Sequence, residues 1–137
     1  MILVRSDLDF SVKSVNLDTE GRSIIMEAEV QGSLFLFVNI YAPNKVQDQC
    51  RFFENLNKNI EHFAVNKEHR IIVGGDFNVT LDSDLDCSGG KPFKKESVKK
   101  IQDLCLDFDL VDIWRIRNPE CKCFTWRQKK SFHSEKT

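Results

Sequence analysis

A chain of 137 residues, 41% hydrophobic and 30% charged, has the make-up of one soluble globular domain, and its eleven phenylalanines argue for a core over a disordered tail. A formal net charge of −1 excludes a protein basic throughout, although basic residues gather after Trp114. No apolar run reaches the length of a membrane span, and five cysteines, with a lone C-x-C at Cys121 and Cys123, fit neither a secreted disulfide framework nor zinc.

Reduced thiols are therefore expected, in a nuclear or cytoplasmic setting rather than a secreted one. Ile2, Leu3 and Val4 read as strand from the outset, as in a chain that starts in mid-sheet. Leu8, Phe10 and Val12 alternate with polar neighbours, the period of a half-buried strand. The phase shifts at Val15 and Leu17, which predicts a bulge or the strand's end. Asp18 to Gly21 supplies a turn, and Ile24, Met26, Ala28 and Val30 mark a second strand. Gln31-Gly32 is suited to a tight hairpin. Leu34 to Tyr41 is almost unbroken and β-rich, the pattern of an interior strand covered on both faces, and Pro43 stops it.

From Val46 to Val65 the period becomes helical, with Phe52, Phe53, Leu56, Ile60, Phe63 and Ala64 on the apolar side. Ile71 to Val73 is a short buried strand. Thr80 to Lys95 reads as a long surface loop, in which Asp82, Asp84 and Asp86 lack the glycine and distal glutamate of a calcium loop. Helical spacing returns from Ser97 to Phe108. Leu110 to Trp114 is expected to be extended, Asn118-Pro119 to turn, Cys123 to Trp126 to form a last short strand, and residues 128–137 to fray. Strands first, then helix alternating with strand, imply an α/β sandwich of mixed sheets, in a single domain over residues 1–137. Walker-type glycine loops, HExxH and GxSxG are absent from the sequence.

The chemistry concentrates at Gly74-Gly-Asp-Phe-Asn78. Two glycines after a strand let the backbone approach a ligand or another chain. With an extended backbone, Asp76 and Asn78 leave from one face at the strand's carboxyl end and Phe77 enters the core. The alternative is an Asx-type turn, in which the two polar side chains bond their own backbone.

Four motifs in order, Asn39-Ile-Tyr-Ala-Pro-Asn44, Gly74 to Asn78, Asp112-Ile-Trp-Arg115 with Asn118-Pro119, and Phe124-Thr-Trp126, resemble the endonuclease/exonuclease/phosphatase family. Within it they are similar to the endonuclease domain of LINE-type, non-LTR retrotransposons. The resemblance implies a four-layered α/β sandwich of the deoxyribonuclease I-like type, incomplete in this chain, and magnesium-dependent cleavage of DNA phosphodiesters. Relatives are joined to a reverse transcriptase. Carried over, Asp76 aligns or deprotonates the attacking water, Asn78 holds the phosphate or its developing charge, Tyr41 sets its hydroxyl against the phosphate, Asn44 shapes that site, and Thr125 faces the DNA. The metal-binding glutamate and terminal Asp-His pair of the family have no counterpart in these residues, and His133, without a preceding acid, does not replace the histidine. The expectation is thus a fragment truncated at both ends and catalytically inactive as it stands. Two other readings stand beside it: a non-enzymatic remnant that binds nucleic acid weakly through Arg115, Arg117, Lys122, Arg127, Lys129 and Lys130, and a transposon relic with no selected function.

Overall fold

Four strands assemble in the order they occur in the chain: β1 (Phe10–Leu17), β2 (Ser23–Val30), β3 (Ser33–Tyr41) and β4 (Arg70–Asp76). The structure, a computed structural model, describes residues 1–64, 68–87 and 94–123. By contact the chain divides into two units, Met1–Val79 with Lys94–Val111, and Thr80–Phe93 with Asp112–Thr137.

In the first unit, β1 and β2 are antiparallel and joined by a turn in which Gly21 N donates to Asp18 O at 3.0 Å. The pairing shifts register between Val12 and Ser14. This bulge keeps Val12, Val15 and Leu17 on one face despite their odd spacing, because Val12 pairs with Ala28 and Val15 with Met26. The β2–β3 hairpin turns on Gln31 (φ 48°) and Gly32 (φ 75°), so both central residues take the left-handed conformation that matches strand twist. Strand β3 is interior to the sheet, antiparallel to β2 and parallel to β4, but the expected cover on both faces is corrected: helices bury Leu36, Val38 and Ile40 on one face, while Phe35, Phe37 and Asn39 on the other are only partly buried. A parallel pair needs a crossover, which helix α1 (Val46–Phe63) provides.

One face of the sheet packs on helices. Ile25, Leu36, Val38 and Ile40 join Phe53, Leu56 and Ile60 of α1, and Ile101 and Leu104 of α3 (Lys95–Asp107), in one buried cluster. Apolar residues at α1 positions 53, 56 and 60 recur at helical spacing, which is why this face of the helix turns inward. Lys100 Nζ and Glu54 Oε1 meet at 2.6 Å across the two helices. On the opposite face Val12, Val15, Leu17 and Ile72 are half exposed or more. The expected burial of Ile71 to Val73 is therefore corrected: among the described residues β4 is a sheet edge, Ile71 and Val73 lie toward the core, and Ile72 lies on the outer face.

The second unit contains two short helical turns where loop and strand were expected. Asp82 caps α2 (Ser83–Asp86), its Oδ1 accepting from Asp84 N at 2.8 Å and Leu85 N at 3.0 Å. Those amide donors hold the Asp82 carboxyl below the usual carboxylate range. Asp112 caps α4 (Ile113–Arg117) by accepting from Arg115 N at 2.9 Å, so the segment from Leu110 to Trp114 is not a strand. Local capping turns a polar loop helical at Asp82 and outcompetes β-propensity at Asp112. The architecture is α/β, a mixed sheet flanked by helices, which is one sheet-and-helix pair of the four-layered sandwich that the resemblance implies. No helix among the described residues is long and apolar enough to cross a membrane.

Candidate active site

Strands β3 and β4 run parallel, so their carboxyl ends finish at the same edge of the sheet. Tyr41 and Asp76, the last residues of the two strands, are register partners there. Alternation places both on the face opposite α1 and α3, since Ile40 belongs to the helix-facing core. Tyr41 is 55% exposed, and its hydroxyl makes no hydrogen bond to a described residue. The ladder is sealed at its end by Ala42 N donating to Asp76 O at 2.8 Å, and Tyr41 N donates to Arg22 O at 2.8 Å.

Close approach of the strands depends on Gly75. Its φ is +126°, and a Cβ built there falls 2.0 Å from Ile40 O. Gly74 has no atom within 4 Å of the equivalent position. Of the two glycines, only Gly75 is required by contact and by conformation.

Beyond Gly75 the chain turns. Asn78 adopts φ +50° and donates its backbone N–H to Asp76 Oδ1 at 2.9 Å. The backbone is not extended through this point, and the Asx-type turn is the geometry observed. Phe77 still packs against the core, its ring stacked on Phe53 with centroids 6.3 Å apart. The Asn78 side chain reaches back to the other loop, Nδ2 donating to Ala42 O at 2.7 Å. A second amide hydrogen and the Oδ1 of Asn78 remain for other partners, and Asp76 keeps Oδ2.

A buried polar group lies behind this corner. Gln49 of α1 is fully buried; its Nε2 donates to Pro43 O at 2.7 Å and to Asn78 O at 2.9 Å. Its Oε1 accepts from Ser97 Oγ of α3 at 2.8 Å, and Ser97 is fully buried as well. Lys94, just before α3, donates from Nζ to Asn44 O at 2.8 Å and to Asn78 O at 3.2 Å. Sequence reasoning had no role for Gln49, Ser97 or Lys94. The available signal for Gln49 is its position: a polar residue four before Phe53 and seven before Leu56, on the face that should be apolar.

The structure thus brings together four of the five expected site residues, Tyr41, Asn44, Asp76 and Asn78. Thr125, the Phe124–Trp126 motif, His133, the basic residues Arg127, Lys129 and Lys130, and the tail at 128–137 lie outside the described residues. In the second unit Arg115 pairs with Asp86 and donates to Asn118 O at 3.1 Å and Cys121 O at 3.1 Å, which makes it a local brace. Among the described residues no group of three or more His, Cys, Asp or Glu side chains could hold a metal ion. The donors that the described residues bring together do not fit the magnesium that the resemblance implies.

Cavities open among the described residues of the first unit, two of them of note. The larger, of about 400 Å³, lies between α1 and α3 beside Glu54, Asn57, Lys100 and Leu106, and takes in none of the site residues. The smaller, of about 100 Å³, has Asn39 and Tyr41 in its wall.

An exposed tyrosine and aspartate are thus paired at the carboxyl ends of parallel strands, with an asparagine locked beside them. Similarity to known proteins points to a nuclease-like α/β domain. No family model matches the chain. A protein of 149 kDa from transposon TX1 of Xenopus laevis is 33% identical over 114 residues, which are 82% of this chain and 8% of that protein. The DNA-(apurinic or apyrimidinic site) endonuclease 2 of Schizosaccharomyces pombe is 28% identical over 131 residues, 83% of this chain and 24% of that enzyme. The chain therefore spans only a minor part of the length of either relative. Among solved structures, D. rerio TDP2 complexed with single-strand DNA product aligns with a TM-score of 0.42 and 12% identity, over 56% of this chain and 33% of that one. The chain resembles the endonuclease/exonuclease/phosphatase family, and within it is similar to the endonuclease domain of LINE-type retrotransposons.

Proposed function

We propose that this chain is a portion of a magnesium-dependent endonuclease domain of a non-LTR retrotransposon, carrying the part of the site that aims a water at a DNA phosphodiester. The observation that supports this reading is the pairing of Tyr41 with Asp76 in register, with Asn78 tied to both loops. Asp76 fixes the Asn78 amide with one carboxylate oxygen and offers the other to a water, which it aligns and relieves of a proton. Tyr41 and the second amide hydrogen of Asn78 are neutral donors for the charge that gathers on phosphorus-bound oxygens as the water attacks. Asn44 shapes the loop beside them. Phosphodiester cleavage needs further charge neutralisation, a task for a metal ion whose donors these described residues do not assemble. The 137-residue chain alone is therefore expected to nick DNA negligibly.

Two measurements test the reading. In the first, the chain is titrated at low salt with a short DNA duplex while backbone amide resonances are followed. Shifts centred on Tyr41, Asn44, Asp76 and Asn78 are expected, and their absence removes the phosphate corner. The second incubates supercoiled plasmid with the chain and magnesium. Efficient nicking that disappears in Asp76→Ala would overturn the inactivity while upholding the site.

A further inference from the structure

We propose that Lys94 is the positioning residue of this corner and also its cationic phosphate contact, an inference that rests on the phosphodiester reading above. An ammonium has three donors. Two of them bind the carbonyls of Asn44 and Asn78, the residues that follow β3 and β4 and supply the site's amides. Those carbonyls belong to segments distant in sequence, and the Lys94 side chain touches both. Gln49 meets the same Asn78 carbonyl from the buried side, together with the carbonyl of Pro43. Asn78 O thus accepts from two side chains, one of them charged, in a place where two neutral donors could have served.

The choice of a charged donor needs a reason. Lys94 is partly exposed, and its third N–H has no partner among the described residues, which leaves it for a group outside the protein. Tyr41, Asn44 and Asn78 are all neutral, and Asp76 is an anion that repels phosphate. A phosphodiester approaching Asp76 therefore needs a positive charge close by, and Lys94 is bonded directly to two of the residues that would receive it. The ligand class is a nucleic-acid phosphodiester, recognised by charge without regard to sequence.

The test is duplex binding by fluorescence anisotropy over a series of salt concentrations, for the whole chain and for Lys94→Gln and Lys94→Arg, with thermal unfolding run beside it. Lys94→Gln is expected to weaken binding several-fold and to reduce the slope of log K against log salt by about one, the release of roughly one counterion per phosphate contact. Lys94→Arg restores the slope. A lysine that only supports the loops would lower the unfolding midpoint and leave the slope unchanged, and that result overturns the proposal. Should Lys94→Gln not fold, the Nζ resonance of the unmutated chain carries the decision: it moves on duplex addition if Lys94 contacts phosphate, and a stationary Nζ beside shifting Asp76 and Asn78 amides rejects the contact. If the unmutated chain shows no shift at Asp76 or Asn78, the phosphodiester reading itself fails, which separates the two failures.

Discussion

Asn78 and Asp76 form a closed pair, the backbone N–H of the asparagine bonded to the aspartate Oδ1 at 2.9 Å while its own side chain grips Ala42 O at 2.7 Å. Asn78 does this at φ +50°, a conformation in which asparagine is tolerated and alanine is strained by roughly 1–2 kcal/mol. Asn78→Ala loses the side-chain bond and adds the strain, for a combined cost of about 2–3 kcal/mol. Asn78→Gly loses the bond alone and should fall between alanine and the unmutated chain. Urea unfolding of the three proteins checks the order, and a glycine variant less stable than the alanine one contradicts it.

The two adjacent glycines are expected to respond in opposite ways. A methyl at position 75 would meet Ile40 O at 2.0 Å in a backbone conformation closed to other residues. Gly75→Ala must push β3 and β4 apart at the site, at a cost on the order of 3 kcal/mol or more. Gly74→Ala meets open space and should change stability by less than about 1 kcal/mol. Equal unfolding midpoints for the two variants would show that the strands do not approach as described.

Gln49 and Ser97 are coupled through one buried hydrogen bond of 2.8 Å, and Gln49 alone serves two carbonyls. Gln49→Ala leaves the Pro43 carbonyl and the Ser97 hydroxyl unsatisfied in the interior and removes one of the two donors to Asn78 O, with an expected loss of about 3 kcal/mol. Ser97→Ala should cost about 1 kcal/mol. The double variant should be more stable than the sum implies, because the serine bond can be lost only once. Strict additivity in a double-mutant cycle would refute the contact.

Glu27 of β2 lies 2.8 Å from His69 Nε2 and accepts from Ser14 Oγ at 2.9 Å. These two bonds, His69's first, hold its carboxyl below the usual glutamate range. A carboxyl depressed by folding stabilises the protein at pH values above its unfolded value, and that contribution fades as the pH falls through the folded one. The stability gap between the unmutated chain and Glu27→Gln should accordingly be widest near neutrality and close in acid. Urea midpoints from pH 7 to about pH 3 read this directly, and a gap that stays constant with pH rules it out.

Much of this fold is legible in the chain itself, for a physical reason. The change of phase between Val12 and Val15 is the bulge, since period-two burial cannot otherwise skip a residue. Gln31-Gly32 and the helical spacing through Phe53, Leu56 and Ile60 are equally local signals. The corner is legible in its members but not in its conformation. Whether Asp76 to Asn78 is extended or turned depends on Ala42 O and Gln49, which reach it from other parts of the chain. The helical turns at Asp82 and Asp112 are not legible, because capping by a single carboxylate converts a polar or β-prone stretch into a helical turn, which periodicity does not register. Lys94 carries no pattern, and only folding brings it to Asn44 and Asn78.

The crossover through α1 has a kinetic consequence. Tyr41 is placed once β3 pairs with β2, through contacts that a hairpin supplies early, but Asp76 arrives beside it only after the intervening helix has folded and β4 has found its parallel partner. The corner is thus a late-forming feature of the folding reaction. A pulse-labelling experiment should find the Asp76–Ala42 ladder bond gaining protection after the β2–β3 hairpin.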